Sequence, residues 1–157
     1  MNRHFDKEFF VFAIFLFTAT GIFWYSLSLS LAPSIGMPNP AGKEAFAMEF
    51  SSFVSDTNVT LNLRSTGSAS VTLQTYIVKD RSGDQWRLSN WNPPGQPVAP
   101  GNLLIVNIAI GSGAGGCGNG CQYAGTPGAF TTFQSRQTYT VIVVTARNIL
   151  FTFTVIR

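Results

Sequence analysis

The 157 residues carry a formal charge of +3, with only 11% charged and 45% hydrophobic side chains. That length holds one compact domain plus a short additional segment. The ten basic residues form no Lys or Arg cluster that could follow a phosphate backbone, which argues against nucleic acid as a partner, and the wealth of Gly, Ser, Thr, Val and Phe suits a β-rich surface.

Residues 9–31, FFVFAIFLFTATGIFWYSLSLSL, contain no charge. As a helix rising 1.5 Å per residue the stretch reaches roughly 35 Å, enough to cross a hydrocarbon layer of about 30 Å. Arg3, His4 and Lys7 precede it and no Lys or Arg follows until Lys43. The positive-inside rule therefore leaves residues 1–8 in the cytoplasm, as a leader segment, and puts the rest outside. A cleaved secretory signal fits poorly, because the run exceeds the usual apolar core of about 7 to 15 residues. Its one small-residue site, Ser30 to Ala32, is also followed directly by Pro33. Two readings remain. One is a single-span anchor with Trp24 and Tyr25 in the interfacial belt. The other is a helix that moves from the bilayer into a filament core, with Phe17 at its middle and Thr18, Thr20, Gly21, Ser26, Ser28 and Ser30 allowing close helix contacts. From the helix alone the anchor is the simpler of the two.

Residues 32–43, APSIGMPNPAGK, hold three prolines and two glycines. Pro33 cannot continue the helix, so residues 32–44 are read as a semi-rigid linker ahead of an extracellular domain over 45–157. From there the apolar residues recur every second position, the period of a half-buried strand. Phe46, Met48 and Phe50 share one face of a strand over 45–53. Val59, Leu61 and Leu63 mark the next, closed by a turn at 65–68 in which Gly67 supplies positive φ. Val71, Leu73, Thr75 and Ile77 then face one way, with Thr72, Gln74, Tyr76 and Val78 facing the other. Asp80 to Asp84 is a hairpin signal with a return arm at 85–88. The four prolines of residues 90–101 predict a surface connection. A Val/Ile-rich strand follows over 103–110, then a glycine-rich loop over 111–129. Strands at 138–145 and 149–156 close the chain around Asn148, the residue suited to a left-handed turn position. The expected fold is mainly β: the apolar helix, then an antiparallel Ig-like β-sandwich of about seven strands.

An apolar N-terminal helix, a proline break and a Ser/Thr-rich sandwich follow one another here. Together with LNLRSTGSASVTLQTYIVKD, PVAPG before a hydrophobic strand and QTYTVIVVTARNILFTFTVIR at the end, this order resembles the archaeal type IV pilins and archaellins over nearly the whole chain. The resemblance implies a structural subunit of an extracellular filament, inserted in the membrane before assembly. Its helices would form the core of a helical homopolymer and its sandwich domains the sheath, after processing by a prepilin-type peptidase. In that family Gly or Ala follows the basic residues at the cut, whereas MNRHFDKE has the basic residues and Glu8 but neither of these. The alternative is a monomeric anchored surface domain that binds a ligand, or a surface or cell adhesion target, through its loops.

Cys117 and Cys121 stand in GGCGNGCQ, a spacing shared with dinuclear copper sites on membrane-anchored β-domains. Such sites need a histidine and a methionine downstream, whereas the single histidine is His4 and the last methionine is Met48. In an oxidising compartment a disulfide is the expectation, with the flanking glycines allowing tight closure. Asn58-Val59-Thr60 is a glycosylation sequon at the start of a strand. Asp56, Asp80 and Asp84 admit a calcium reading, although aspartate is also an ordinary turn residue. Trp86, Trp91 and Tyr123 fall near loops, as a sugar platform or as core. With no histidine outside, a Ser-His-Asp nucleophile is excluded, and neither a P-loop nor a dinucleotide fingerprint occurs. No enzymatic activity, metal or cofactor is expected.

Overall fold

The computed structural model describes residues 42–157 apart from Ala114. Phe17, Thr18, Thr20, Gly21 and Ser28, with the helix expected over 9–31, lie outside the described residues. Period-two alternation yields β1 (Phe46–Phe53), β2 (Asn58–Ser65), β3 (Leu73–Lys79), β4 (Gln85–Ser89), β5 (Leu103–Ala109), β6 (Cys121–Ala124), β7 (Thr138–Thr145) and β8 (Leu150–Ile156). All pairings are antiparallel. The strands form a three-stranded sheet in the order β1-β2-β5 and a five-stranded sheet in the order β6-β4-β3-β7-β8. The described residues contain no α-helix.

The sheets pack face to face because each strand turns one set of alternate residues inward. Val59, Leu61 and Leu63 of β2 and Leu104, Val106 and Ile108 of β5 join Tyr76 and Val78 of β3 and Val141 and Val143 of β7 in one buried cluster. At roughly 25 cal/mol per Å² of apolar area withdrawn from water, this cluster is the main stabilising term.

Two strands depart from strict alternation. A register break between Met48 and Phe50 bulges β1 at Glu49 and turns Phe50 outward, where it is 57% exposed rather than sharing a face with Phe46 and Met48. A second break between Leu73 and Thr75 shifts the phase of β3, so Tyr76 and Val78 follow Val71 and Leu73 into the core and Ile77 faces out. The turn at Gly67 also differs from expectation: Gly67 is not among the positive-φ glycines. A side chain there would collide with Lys43 O, so close approach is what requires glycine. Asn148 does take the left-handed conformation, with φ 61°, and Gly83 serves the β3–β4 hairpin with φ 93°.

Gly42, Lys43 and Glu44, assigned to the linker on composition, are fastened to the sandwich. Lys43 N donates to Ser68 Oγ at 3.0 Å. Lys43 O accepts from Ser68 N at 2.9 Å. Arg147 Nε lies 3.3 Å from Glu44 Oε1. This defines the Gly42 end of the sandwich, shared with the β2–β3 and β7–β8 turns. The far end carries the β1–β2 turn, the β3–β4 hairpin, the segment between β5 and β7, and Arg157.

Candidate functional site

The far end is built on the segment between β5 and β7, read from sequence as one unpaired loop over 111–129. Within it, Gly118–Gly120 form a 3-10 turn and Cys121–Ala124 form β6, which pairs with β4 from Gln85↔Ala124 to Leu88↔Cys121. The expectation of an unpaired loop fails because the glycine-rich flanks hide a four-residue strand whose partner lies more than thirty positions back in the chain. Its faint signal is the alternation of Cys121 and Tyr123 with Gln122 and Ala124.

Cys117 and Cys121 are joined in a disulfide, with Cα atoms 5.6 Å apart. The bond closes the 3-10 turn onto the first residue of β6. Cys117 N also donates to Gly111 O at 2.9 Å, which ties the turn back to the end of β5. Gly116 allows this approach, since a Cβ there would strike the Gly111 carbonyl.

Further along, hydrogen bonds tie the segment to itself, to the β3–β4 hairpin, to β4 and to the β1–β2 turn. Thr126 N donates to buried Asp84 Oδ1 at 2.7 Å. Tyr123 OH donates to Thr126 O at 2.7 Å. Trp86 Nε1 donates to Phe130 O at 2.7 Å. Phe133 N donates to Asp56 O at 2.7 Å. Beneath these bonds Phe130 stacks on Tyr139 at 5.4 Å and Phe133 meets Tyr139 edge-on at 4.9 Å. Arg157 pairs with Asp56, donates to Phe133 O, and stands 6.0 Å over the Phe53 ring.

Two clefts open between these parts. A cavity of about 320 Å³ lies among Thr57, Trp86, Ile110, Ser112 and Thr131, walled by glycine backbone. A second, of about 390 Å³, lies among Asp80, Arg81, Thr132, Gln134, Gln137 and Thr138. Their polar groups include hydroxyls, amides, the exposed Arg81 guanidinium and the Asp80 carboxylate, whose Oδ1 is engaged by the hairpin backbone, and they can hydrogen-bond a ligand.

The remaining sequence candidates do not converge. Trp86 and Trp91 are each 9% exposed, Trp86 against Tyr123 at 4.8 Å and Trp91 against Tyr76 at 4.9 Å. These rings are core, not a sugar platform. Asp80 Oδ1 accepts from Ser82 N and Asp84 N, both at 2.9 Å, so it shapes the hairpin. Asp56 is taken by Arg157. Among the described residues no group of three or more His, Cys, Asp or Glu could hold a metal ion. Asn58 opens β2 with its Oδ1 buried and without a partner among the described residues, and Thr60 Oγ1 donates to Asn107 Oδ1 at 2.7 Å. In the folded domain the sequon hydroxyl is therefore engaged with β5.

No family model and no curated protein matches the chain. Among solved structures it is similar to the archaellum periplasmic stator protein FlaG from Sulfolobus acidocaldarius, at 13% identity over 72% of this chain and 100% of that chain, with a TM-score of 0.49. It is also similar to the stator complex of FlaF and FlaG from the same organism, at 13% identity over 70% of this chain and 87% of that one, with a TM-score of 0.45. Likenesses of this size stop short of a shared fold and assign no function.

Proposed function

We propose that the chain is a structural subunit of an extracellular, pilus-like filament of the archaeal type. Its N-terminal helices form the core and its sandwich domains the sheath, with other copies of itself as the principal partners. It is inserted in the membrane before assembly with its N-terminus in the cytoplasm, and it performs no catalysis. The observation that carries this reading is the fastening of the sandwich from Gly42 onward. Only residues 32–41 then separate an uncharged stretch of spanning length from a folded, disulfide-closed domain. So short a connection holds the domain close to whatever the apolar stretch enters, as a sheath around a helical core requires.

Electron microscopy of sheared cell-surface material, with mass spectrometry of the subunit, tests the reading. Gly21→Leu or Thr20→Leu should leave insertion and abundance intact while abolishing or thinning the filaments, because a close-packed helix seam cannot take a bulky residue whereas lipid can. Normal filaments in both variants would remove the seam. Absence of filaments from the wild type would favour the second reading, an anchored surface domain that binds through its loops. The two clefts at the end opposite Gly42 support that alternative.

A further inference from the structure

The sandwich has four sheet edges, and three of them are guarded. β1 and β8 lie side by side, with Phe46 against Phe151 at 5.4 Å. β1 also carries its bulge and the Glu49–Arg64 ion pair. β6 is only four residues long. β5 has none of these protections. Its seven residues, LLIVNIA, include no charge and no proline, and its register with β2 is unbroken. A long uncharged edge is what folded proteins ordinarily avoid.

The register shows which groups of β5 are open. Ser65 N donates to Asn102 O at 2.9 Å and Ile110 N donates to Thr57 O at 2.9 Å, with the ladder in step between them. Bonded pairs alternate along an antiparallel ladder. Leu104, Val106 and Ile108 therefore bond to β2, while Leu103, Ile105 and Asn107 turn their N–H and C=O groups to the open side. Among the described residues no strand takes them up. The side chains of these three also point outward, Leu103 40% and Ile105 58% exposed. In register with Ile105, across Asn62, stands the outward Phe50.

We propose that β5 pairs antiparallel with β5 of a second copy about a two-fold axis at Ile105, and that the second copy belongs to a facing surface. The open groups are a row of backbone donors and acceptors, which another extended strand satisfies. An uncharged edge offers nothing for a charged partner to complement, and a two-fold axis makes it its own complement. Neighbouring registers meet committed groups. An axis at Leu104 sets Asn107 against Gly101 of the second copy, whose N–H donates to Ser65 O at 2.8 Å and whose carbonyl accepts Arg64 Nη1 at 2.8 Å. An axis at Val106 sets Leu103 against Ala109, whose carbonyl accepts the Tyr76 hydroxyl at 2.7 Å. About Ile105, Leu103 faces Asn107 and all the bonding groups are open. The Phe50–Asn62–Ile105 row then runs on unbroken into its counterpart.

The facing arrangement follows from direction. Leu103 pairs with Arg64 toward the Gly42 end, and Ala109 with Asn58 toward the far end. Antiparallel pairing sets the two Gly42 residues at opposite ends of the pair, as for domains reaching toward each other from two surfaces. A seven-residue edge buries less than the roughly 1,200 Å² of a stable interface, so single pairs are brief and arrays hold by multivalency. This inference rests on the reading that residues 9–31 fix the chain in a membrane or filament.

The test uses the full chain reconstituted in liposomes. Wild-type vesicles should cluster, read by turbidity, in proportion to protein density. Ile105→Lys should reduce clustering at least tenfold with the near-UV circular dichroism unchanged. Leu103→Cys vesicles mixed with Asn107→Cys vesicles should give dimers with a short bis-maleimide, and neither alone should, since the native cysteines are closed. Inserted wild-type protein that does not cluster, undiminished clustering of Ile105→Lys, or equal cross-linking of Leu103→Cys with itself would overturn the pairing and leave the surface-assembly reading standing. Failure of the wild-type chain to insert would overturn both.

Discussion

Arg147 and Glu44 form an ion pair whose members sit in different surroundings. The Glu44 side chain is 2% exposed and that of Arg147 is 51% exposed. Among the described residues Glu44 Oε2 has no hydrogen-bond partner, and neither has the hydroxyl of fully buried Ser65. Removing the cation thus strands a buried acid. Arg147→Ala should destabilise the domain by about 1–3 kcal/mol at pH 7, below the ~3–5 of a wholly buried pair because half the guanidinium already meets water. Adding Glu44→Gln should restore part of the loss. Urea unfolding of the two variants measures this, and a loss under about 0.5 kcal/mol would show that Glu44 is satisfied without Arg147. Tyr76 gives a pH-dependent counterpart. Burial pushes its hydroxyl up to about 12 from 10.0, and in the folded state that hydroxyl donates its proton to Ala109 O. The folded state thus keeps a proton that the unfolded state gives up. The contribution is whole below pH 10 and is lost as the pH rises toward 12, by on the order of 2 kcal/mol. The stability difference between wild type and Tyr76→Phe, taken by urea at pH 9 and pH 11.5, should shrink across that window. A constant difference would mean that the hydroxyl is not held protonated.

At the scale of elements, β6 depends on its closure. A four-residue strand contributes little pairing of its own, and the disulfide limits the freedom of its first residue. For so short a ring the chain-entropy model gives about 2 kcal/mol. Reduction should cost roughly that amount and should raise hydrogen exchange at Gln122 and Tyr123 while leaving Val141 and Val143 protected. Equal protection of β6 in both redox states would show that pairing with β4 suffices. This strand also marks where sequence stops being informative. Seven strands are legible, most from apolar alternation between turn signals, the one over 103–110 from its Val/Ile-rich run and the return arm at 85–88 from the hairpin signal before it. In β6 the alternation lasts four residues, and the surrounding glycines read as loop. The bulges in β1 and β3 were illegible for another reason. Continued alternation favours an unbroken strand that puts Phe50 on one face with Phe46 and Met48, and only the partner strand reveals that Glu49 is extra and that Phe50 lies on the surface. Of the site, the cysteine pair could be anticipated from compartment and spacing. The clefts could not, because Thr57, Gln134 and Thr138 are unremarkable until folding gathers distant segments at one end.

At the scale of the molecule, the question is where the folded domain begins. Alternation starts at Phe46, and on that evidence Gly42–Glu44 belong to the linker. The hydrogen bonds place these residues in the sandwich: Lys43 N to Ser68 Oγ, Ser68 N to Lys43 O, and Thr66 N to Ala45 O, alongside the Glu44–Arg147 pair. They strap the β2–β3 turn, which carries Ala69 and leads to Val71 at the edge of the core. A fragment of residues 46–157 would lose all of them and expose the turn they cover. At about 1 kcal/mol net per hydrogen bond the three bonds amount to ~3 kcal/mol. For a domain of this size that loss lowers Tm by roughly 10 °C or more relative to a fragment of residues 42–157. The core would still assemble, because none of its buried cluster lies before Phe46. Both fragments should therefore unfold cooperatively, the shorter at the lower temperature. Melting points within about 2 °C of each other would return Gly42–Glu44 to the linker and lengthen the connection to the apolar stretch. That result would weaken the short, close coupling on which the sheath reading depends.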